Sequence, residues 1–185
     1  MTRPEMPWPS WVPRGCRCAV AMLVISSTGS FAQTAIRKPW VLARVDVAVI
    51  SVPAAIRNQL DDLEYDDTST MRGVMVDLNG DGAKDYIIQS APSLCGNGGC
   101  NYAIVDGARG KSLGTIFGGT LVVGGAAAHG FPVIETISHL SAESVTDDTY
   151  SFDGSSYVRS STRIVSGAPL DSLLARVDTL PRFRR

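Results

Sequence analysis

From residue 45 onward the chain consists of short apolar runs broken by turn residues. Val45 to Val52 alternates loosely and is rich in Val and Ile, which favours a strand. Pro53 suits a first helical position, and Ile56, Leu60 and Leu63 follow at three- and four-residue spacing. That stripe predicts an amphipathic helix from Pro53 to about Glu64, with Arg57, Asn58, Asp61 and Asp62 facing water. Further runs at Gly73–Val76, Tyr86–Gln89, Tyr102–Val105, Leu113–Phe117, Leu121–Val123, Val133–Ile137, Tyr150–Phe152 and Tyr157–Val165 each have strand length. Asn79-Gly80-Asp81-Gly82, Asp106-Gly107, Gly118-Gly119 and Asp153-Gly154 separate them with dipeptides that tolerate positive φ. After Pro169, Leu170, Leu173, Leu174 and Val177 return to helical spacing and predict a short second helix lying on the sheet. The expected fold is α+β: a single domain of mostly antiparallel, meandering β-sheet with one N-terminal and one short C-terminal helix, and a frayed tail at Arg182 to Arg185.

The first thirty residues have a different pattern. Arg3, Arg14 and Arg17 precede an apolar run from Cys18 to Ile25, and Ser30-Phe31-Ala32 ends in the small residues that a signal peptidase requires. Residues 1–32 therefore read as a signal peptide, with 33–185 as the mature domain in a periplasmic or secreted location. The apolar run is far short of the roughly 20 residues needed to cross a bilayer, so no membrane span is expected.

Composition narrows the function classes. With 185 residues, 44% hydrophobic and 19% charged, the chain has a core to bury and no space for a large multidomain enzyme. Removing 1–32 takes three Arg and one Glu from 17 basic and 18 acidic side chains, leaving 14 and 17 and a charge of −3. No basic stripe appears, which argues against a nucleic-acid partner held through phosphates. Of four cysteines, Cys95 and Cys100 remain in the mature chain, and an even pair in an oxidising compartment reads as a disulfide. It pinches the loop Cys-Gly-Asn-Gly-Gly-Cys.

One segment carries specific chemistry. Residues 77 to 85, Asp-Leu-Asn-Gly-Asp-Gly-Ala-Lys-Asp, have the pattern DxNxDGxxD. Alternate residues of a tight loop can aim Asp77, Asn79 and Asp81 at one point while the Ala83 carbonyl and Asp85 close the ring. Calcium takes six to eight such oxygens. An EF-hand needs a bidentate Glu at loop position 12, and here that position is Ile88. The same dipeptides are common tight turns, so the loop reads either as a Ca2+ site between two strands or as a solvated hairpin turn. Asp61, Asp62, Glu64, Asp66 and Asp67 form a second acidic cluster, read as a wet helix end or as the source of one further ligand.

Residues 74 to 92, Val-Met-Val-Asp-Leu-Asn-Gly-Asp-Gly-Ala-Lys-Asp-Tyr-Ile-Ile-Gln-Ser-Ala-Pro, resemble the second half of an FG-GAP or VCBS-type repeat. The chain is also similar to small exported bacterial proteins of unknown role that carry one such loop before a short Cys-Gly-rich-Cys loop. The resemblance implies calcium bound by Asp77, Asn79, Asp81, Asp85 and the carbonyl of Ala83. A propeller needs several blades of roughly 40 to 60 residues, and one copy excludes it.

Other constellations are poorer. Gly107 to Ser112 ends like a phosphate-binding loop, but Val105 stands where the first glycine belongs. His129 and His139 are in neither a metal-ligand spacing nor a nucleophile motif. Trp40 and Tyr102 are read as a binding surface or as packing. The favoured class is an exported, calcium-stabilised binding or envelope-associated module without catalytic residues, its partner a protein or envelope component. The alternatives are a small periplasmic hydrolase using a carboxylate pair away from residues 77–85, or a structural envelope component. Oligomeric state stays open.

Overall fold

A computed structural model of the chain describes residues 38–60, 63–65 and 71–184, within one compact unit, Gln33–Arg185. The leader expected at 1–32, and Asp61, Asp62, Asp66 and Asp67 of the acidic cluster, lie outside the described residues. The described chain forms ten strands: β1 (Trp40–Ala43), β2 (Ala48–Ile50), β3 (Met71–Val76), β4 (Asp85–Gln89), β5 (Cys100–Asp106), β6 (Lys111–Gly118), β7 (Thr120–Ala128), β8 (Phe131–Ser141), β9 (Ser144–Phe152) and β10 (Tyr157–Ser166). Two short helices, α1 (Ala54–Arg57) and α2 (Ala168–Asp178), accompany them.

The strands fall into two antiparallel sheets, ordered β2-β3-β4-β5-β6 and β1-β7-β8-β9-β10. The class is therefore mainly β, and the expected α+β domain with one meandering sheet is corrected. Alternation marks which face of a strand is buried, but it does not say which sheet the strand joins. The chain changes sheet at two places. A 3-10 turn, Arg44–Asp46, leads from β1 into β2, and Gly119 alone links β6 to β7. At the second crossing the backbones approach so closely that a Cβ on Gly118 would lie 2.7 Å from the Thr136 Cβ. Only glycine fits there.

The expected N-terminal helix is also corrected. Its apolar stripe is buried as predicted, since Ile56, Leu60 and Leu63 are all nearly inaccessible. The α-helix itself stops at Arg57, and Gln59, Leu60 and Leu63 close three-residue turns onto Ile56, Arg57 and Leu60. A tertiary contact accounts for the break. The Gln59 carboxamide donates to the Ala55 carbonyl (2.8 Å) and the Gly110 carbonyl (2.6 Å) and accepts from the Ser112 amide (3.1 Å), so it ties the end of α1 to the start of β6.

Burial assembles these elements into layers. Leu42, Val74, Ile87, Tyr102, Ile104, Leu113 and Ile116 pack with Leu121, Val123, Ile134, Tyr150, Phe152 and Tyr157 in one core shared by both sheets. Each large side chain so buried stabilises by roughly 1.5–3 kcal/mol. The far side of the first sheet is covered by Val52, Ile56, Leu60 and Leu63 against Met71, Ile88 and Val105. The far side of the second is covered by α2, whose Leu173 meets Ile137 and Val165, with Leu170 and Val177 beside it. The tail does not fray at its start: the Phe183 ring packs on Trp40 at 5.1 Å, and the Phe183 amide bonds to the Val41 carbonyl (2.7 Å). Tyr102 is fully buried and belongs to the packing rather than to a surface.

Candidate functional site

The 77–85 loop joins β3 to β4, and its shape comes from its own polar side chains. Gly80 and Gly82 take φ of +85° and +87°, which fold the chain back on itself at no steric cost. The Asp77 carboxylate accepts the Gly80 amide (2.6 Å) through Oδ1 and the Gly82 amide (3.1 Å) through Oδ2. Asn79 Oδ1 accepts the Asp81 amide (2.9 Å), Asn79 Nδ2 donates to Asp81 Oδ2 (2.9 Å), and Asp81 Oδ1 accepts the Ala83 amide (2.7 Å). Asp77, Asn79 and Asp81 thus crowd over one turn at or near the surface.

Asp85 plays a different part. It is fully buried, and its two oxygens accept amides from opposite directions, Leu78 at 2.8 Å and Gly107 at 2.9 Å. One carboxylate therefore ties the 77–85 loop to the β5–β6 turn. Burial pushes its pKa above the ordinary aspartate value against the pull of the two amides, and the charges of Asp106 and Asp81 push the same way. Ala83, half-buried, follows the two glycines on the same turn.

Among the described residues no three His, Cys, Asp or Glu side chains are grouped as they would be around a metal ion. The donor set nevertheless fits a hard cation, because every candidate donor is oxygen. Each carboxylate oxygen that accepts an amide also keeps a second lone pair. Asp77, Asn79 and Asp81 are the three side chains the fold brings together; Asp85 lies beneath them as an anchor.

The loop also forms one wall of a cleft at the end of the two sheets. This cleft, about 550 Å³, is lined by Asn79 and Asp81, by Arg109 of the β5–β6 turn, by His129 and Gly130 of the β7–β8 turn, and by Phe131 and Phe152. Turns from both sheets converge here. His129 has φ +49°, a conformation that costs energy in a non-glycine residue and is held by its surroundings. Arg109 is steadied by Asp106, at 3.4 Å. Sequence reasoning missed the approach of His129 to the acidic loop. About fifty positions separate them, and the only local sign was the Gly that follows the His and permits a tight hairpin. His139 lies exposed on β8, away from the cleft.

The remaining sites fall as follows. Cys95 and Cys100 form the disulfide that the sequence predicts, with Cα atoms 4.3 Å apart. A carboxylate pair away from the loop does exist, formed by Glu135 on β8 and Asp147 on β9. Burial raises the pKa of Glu135, Arg176 opposes the shift, and Asp147 adds to it. Arg176 of α2 binds Glu135, and Arg163 binds Asp147 through Nε (2.7 Å) and Nη2 (2.5 Å). Both carboxylates are thus engaged by guanidinium groups, as in a structural network.

No family model, curated protein or solved structure matches the chain. Among the described residues no helix is long and apolar enough to cross a membrane.

Proposed function

We propose that the protein is an exported, calcium-stabilised binding module without catalytic activity, located in the periplasm or secreted, and that the cleft beside its acidic loop receives a protein or envelope component. The observation that carries this reading is the crowding of Asp77, Asn79 and Asp81 over a single glycine-folded turn that is also a wall of the cleft. The two carboxylates, Asp77 and Asp81, repel each other across this turn, and a cation between them removes that cost while taking the Asn79 oxygen as a further ligand. When bound, calcium supplies that cross-link and stiffens the wall. The chain's own residues do the rest: Asp85 holds the loop down, Gly80 and Gly82 let it fold, and Arg109 and His129 face the cleft from the neighbouring turns. The hydrolase reading is weaker because Arg163 and Arg176 occupy the Glu135–Asp147 pair.

Melting curves in calcium and in EDTA test the proposal. An exported site of roughly 10⁻⁴ M affinity, held in about 5 mM calcium, gains about 2 kcal/mol of stability, which is about 5–9 °C in Tm for a chain of this size. Asp81→Ala should bring the two curves together. Coincident curves for the parent protein at millimolar calcium refute the calcium reading.

A further inference from the structure

We infer that a second cleft, on the opposite strand ends of the first sheet, binds a small ligand through an oxyanion group, either carboxylate or phosphate. The cleft holds about 340 Å³ and is lined by Arg44, Val45, Arg72, Gln89, Pro92 and Cys95. Among the described residues its wall has two guanidinium groups and no carboxylate.

Five arginines elsewhere in the fold are neutralised by carboxylates. Arg109, Arg159, Arg163, Arg176 and Arg182 each pair with a carboxylate, on Asp106, Asp148, Asp147, Glu135 and Asp46 respectively. Among the described residues, Arg44 and Arg72 pair with none; the guanidinium of Arg72 reaches only the Val47 carbonyl, at 3.3 Å. These two arginines, neither of them paired with a carboxylate, line one cavity. Leaving cations together in a chain whose acids outnumber its bases costs repulsion, and an anion between them removes that cost. Guanidinium also presents paired N–H donors that match the two oxygens of a carboxylate or phosphate.

The cationic walls are anchored. The turn that carries Arg44 is closed by Asp46, whose carboxylate accepts the Ala43 amide (2.9 Å) and pairs with Arg182 (3.7 Å). Arg72 is set by its amide, which donates to the Tyr65 hydroxyl (2.9 Å), and that hydroxyl donates in turn to the Gln89 carbonyl (2.7 Å). Gln89 is only 3% exposed. Its Nε2 is fixed by Tyr102 (3.1 Å) and by Cys100 (3.4 Å), whose disulfide partner Cys95 forms part of the wall. The charge of Arg44 is felt as deep as the Tyr102 phenol, where it opposes the rise caused by burial. Val45, 80% exposed, and Pro92 offer apolar contact to the body of an organic ligand. The volume is at the small end of ligand sites, which fits a metabolite-sized molecule rather than a protein segment.

The test is an NMR titration of the ¹⁵N-labelled full chain, with inorganic phosphate in one arm and acetate in another, at ionic strength matched with chloride. Saturable shifts at the Arg44 and Arg72 Nε–H groups and at the Gln89 side-chain amide are expected. Saturation by phosphate alone or by acetate alone identifies which oxyanion is preferred. Arg44→Gln and Arg72→Gln should each weaken binding about tenfold or more, whereas Arg109→Gln, in the other cleft, should leave it unchanged. The proposal is overturned if the parent protein gives no shifts, or shifts that grow linearly with salt in both arms. It is equally overturned if Arg109→Gln weakens binding as much as the other two.

Discussion

Asp85→Ala separates an anchoring carboxylate from an ion-holding one. The fully buried side chain accepts two backbone amides, Leu78 at 2.8 Å and Gly107 at 2.9 Å. A hydrogen bond to a charged acceptor contributes roughly 1.5–3 kcal/mol, and an orphaned buried amide costs about 1–3 kcal/mol. Neither amide is easily served by movement, because Leu78 is buried and Gly107 lies against Lys84, whose carbonyl would be 1.7 Å from a Cβ placed there. Removing a carboxylate that burial disfavours returns part of the loss, so the net expectation is ~2–4 kcal/mol, or about 5–15 °C in Tm. The assay is thermal and urea unfolding followed by circular dichroism in calcium-free buffer. In the same buffer Asp81→Ala, at an exposed position, should cost less than ~1 kcal/mol.

The pH dependence of Asp85 supplies a second check. Because its folded pKa is raised, the folded chain holds the Asp85 proton more tightly than the unfolded chain does. Its contribution is therefore full below the unfolded value and declines as pH rises through the folded one. The stability difference between the parent protein and Asp85→Ala should widen on acidification from pH 7 towards about pH 4. A loss below ~1 kcal/mol at pH 7 refutes the anchoring role, and a difference that narrows on acidification refutes the raised pKa.

Three further outcomes follow from the same geometry. Replacing Cys95 and Cys100 by Ser should cost about 2 kcal/mol, as expected for so short a ring, with the strand signature retained in far-ultraviolet circular dichroism; global unfolding would contradict a local role for the bridge. Gly107→Ala should be among the most damaging single substitutions, costing upwards of ~3 kcal/mol, because its Cβ would meet the Lys84 carbonyl at 1.7 Å; a soluble variant with unchanged Tm would contradict so close a packing of the two backbones. Tyr157→Phe should cost about 1 kcal/mol by leaving the Pro132 carbonyl without its 2.8 Å donor. Burial also pushes the Tyr157 phenol far above its ordinary pKa, so ultraviolet titration should find it un-ionised until the chain unfolds in alkali.

Local chemistry was legible in the sequence wherever neighbours along the chain decide the outcome. The eight runs read as strands from residue 73 onward all lie in strands, because period-two burial and the glycine turns between them are short-range properties. The Cys95–Cys100 ring and the positive φ of Gly80 and Gly82 belong to the same class. What the sequence could not decide was partnership between distant segments. Two sheets instead of one arise where Gly119 carries the chain from β6 into β7, and no periodicity marks that step. The stripe at Ile56, Leu60 and Leu63 is buried as read, yet the helix ends at Arg57 because Gln59 bonds to Gly110 and Ser112, some fifty residues later. Asp85 reads as a fourth loop oxygen until Gly107 arrives from another turn and engages it. Arg44 and Arg72 look like ordinary surface cations until the two edges of the chain meet in one cleft. Hydrogen-bond and charge partners are chosen by proximity in space, and sequence patterns encode only proximity along the chain.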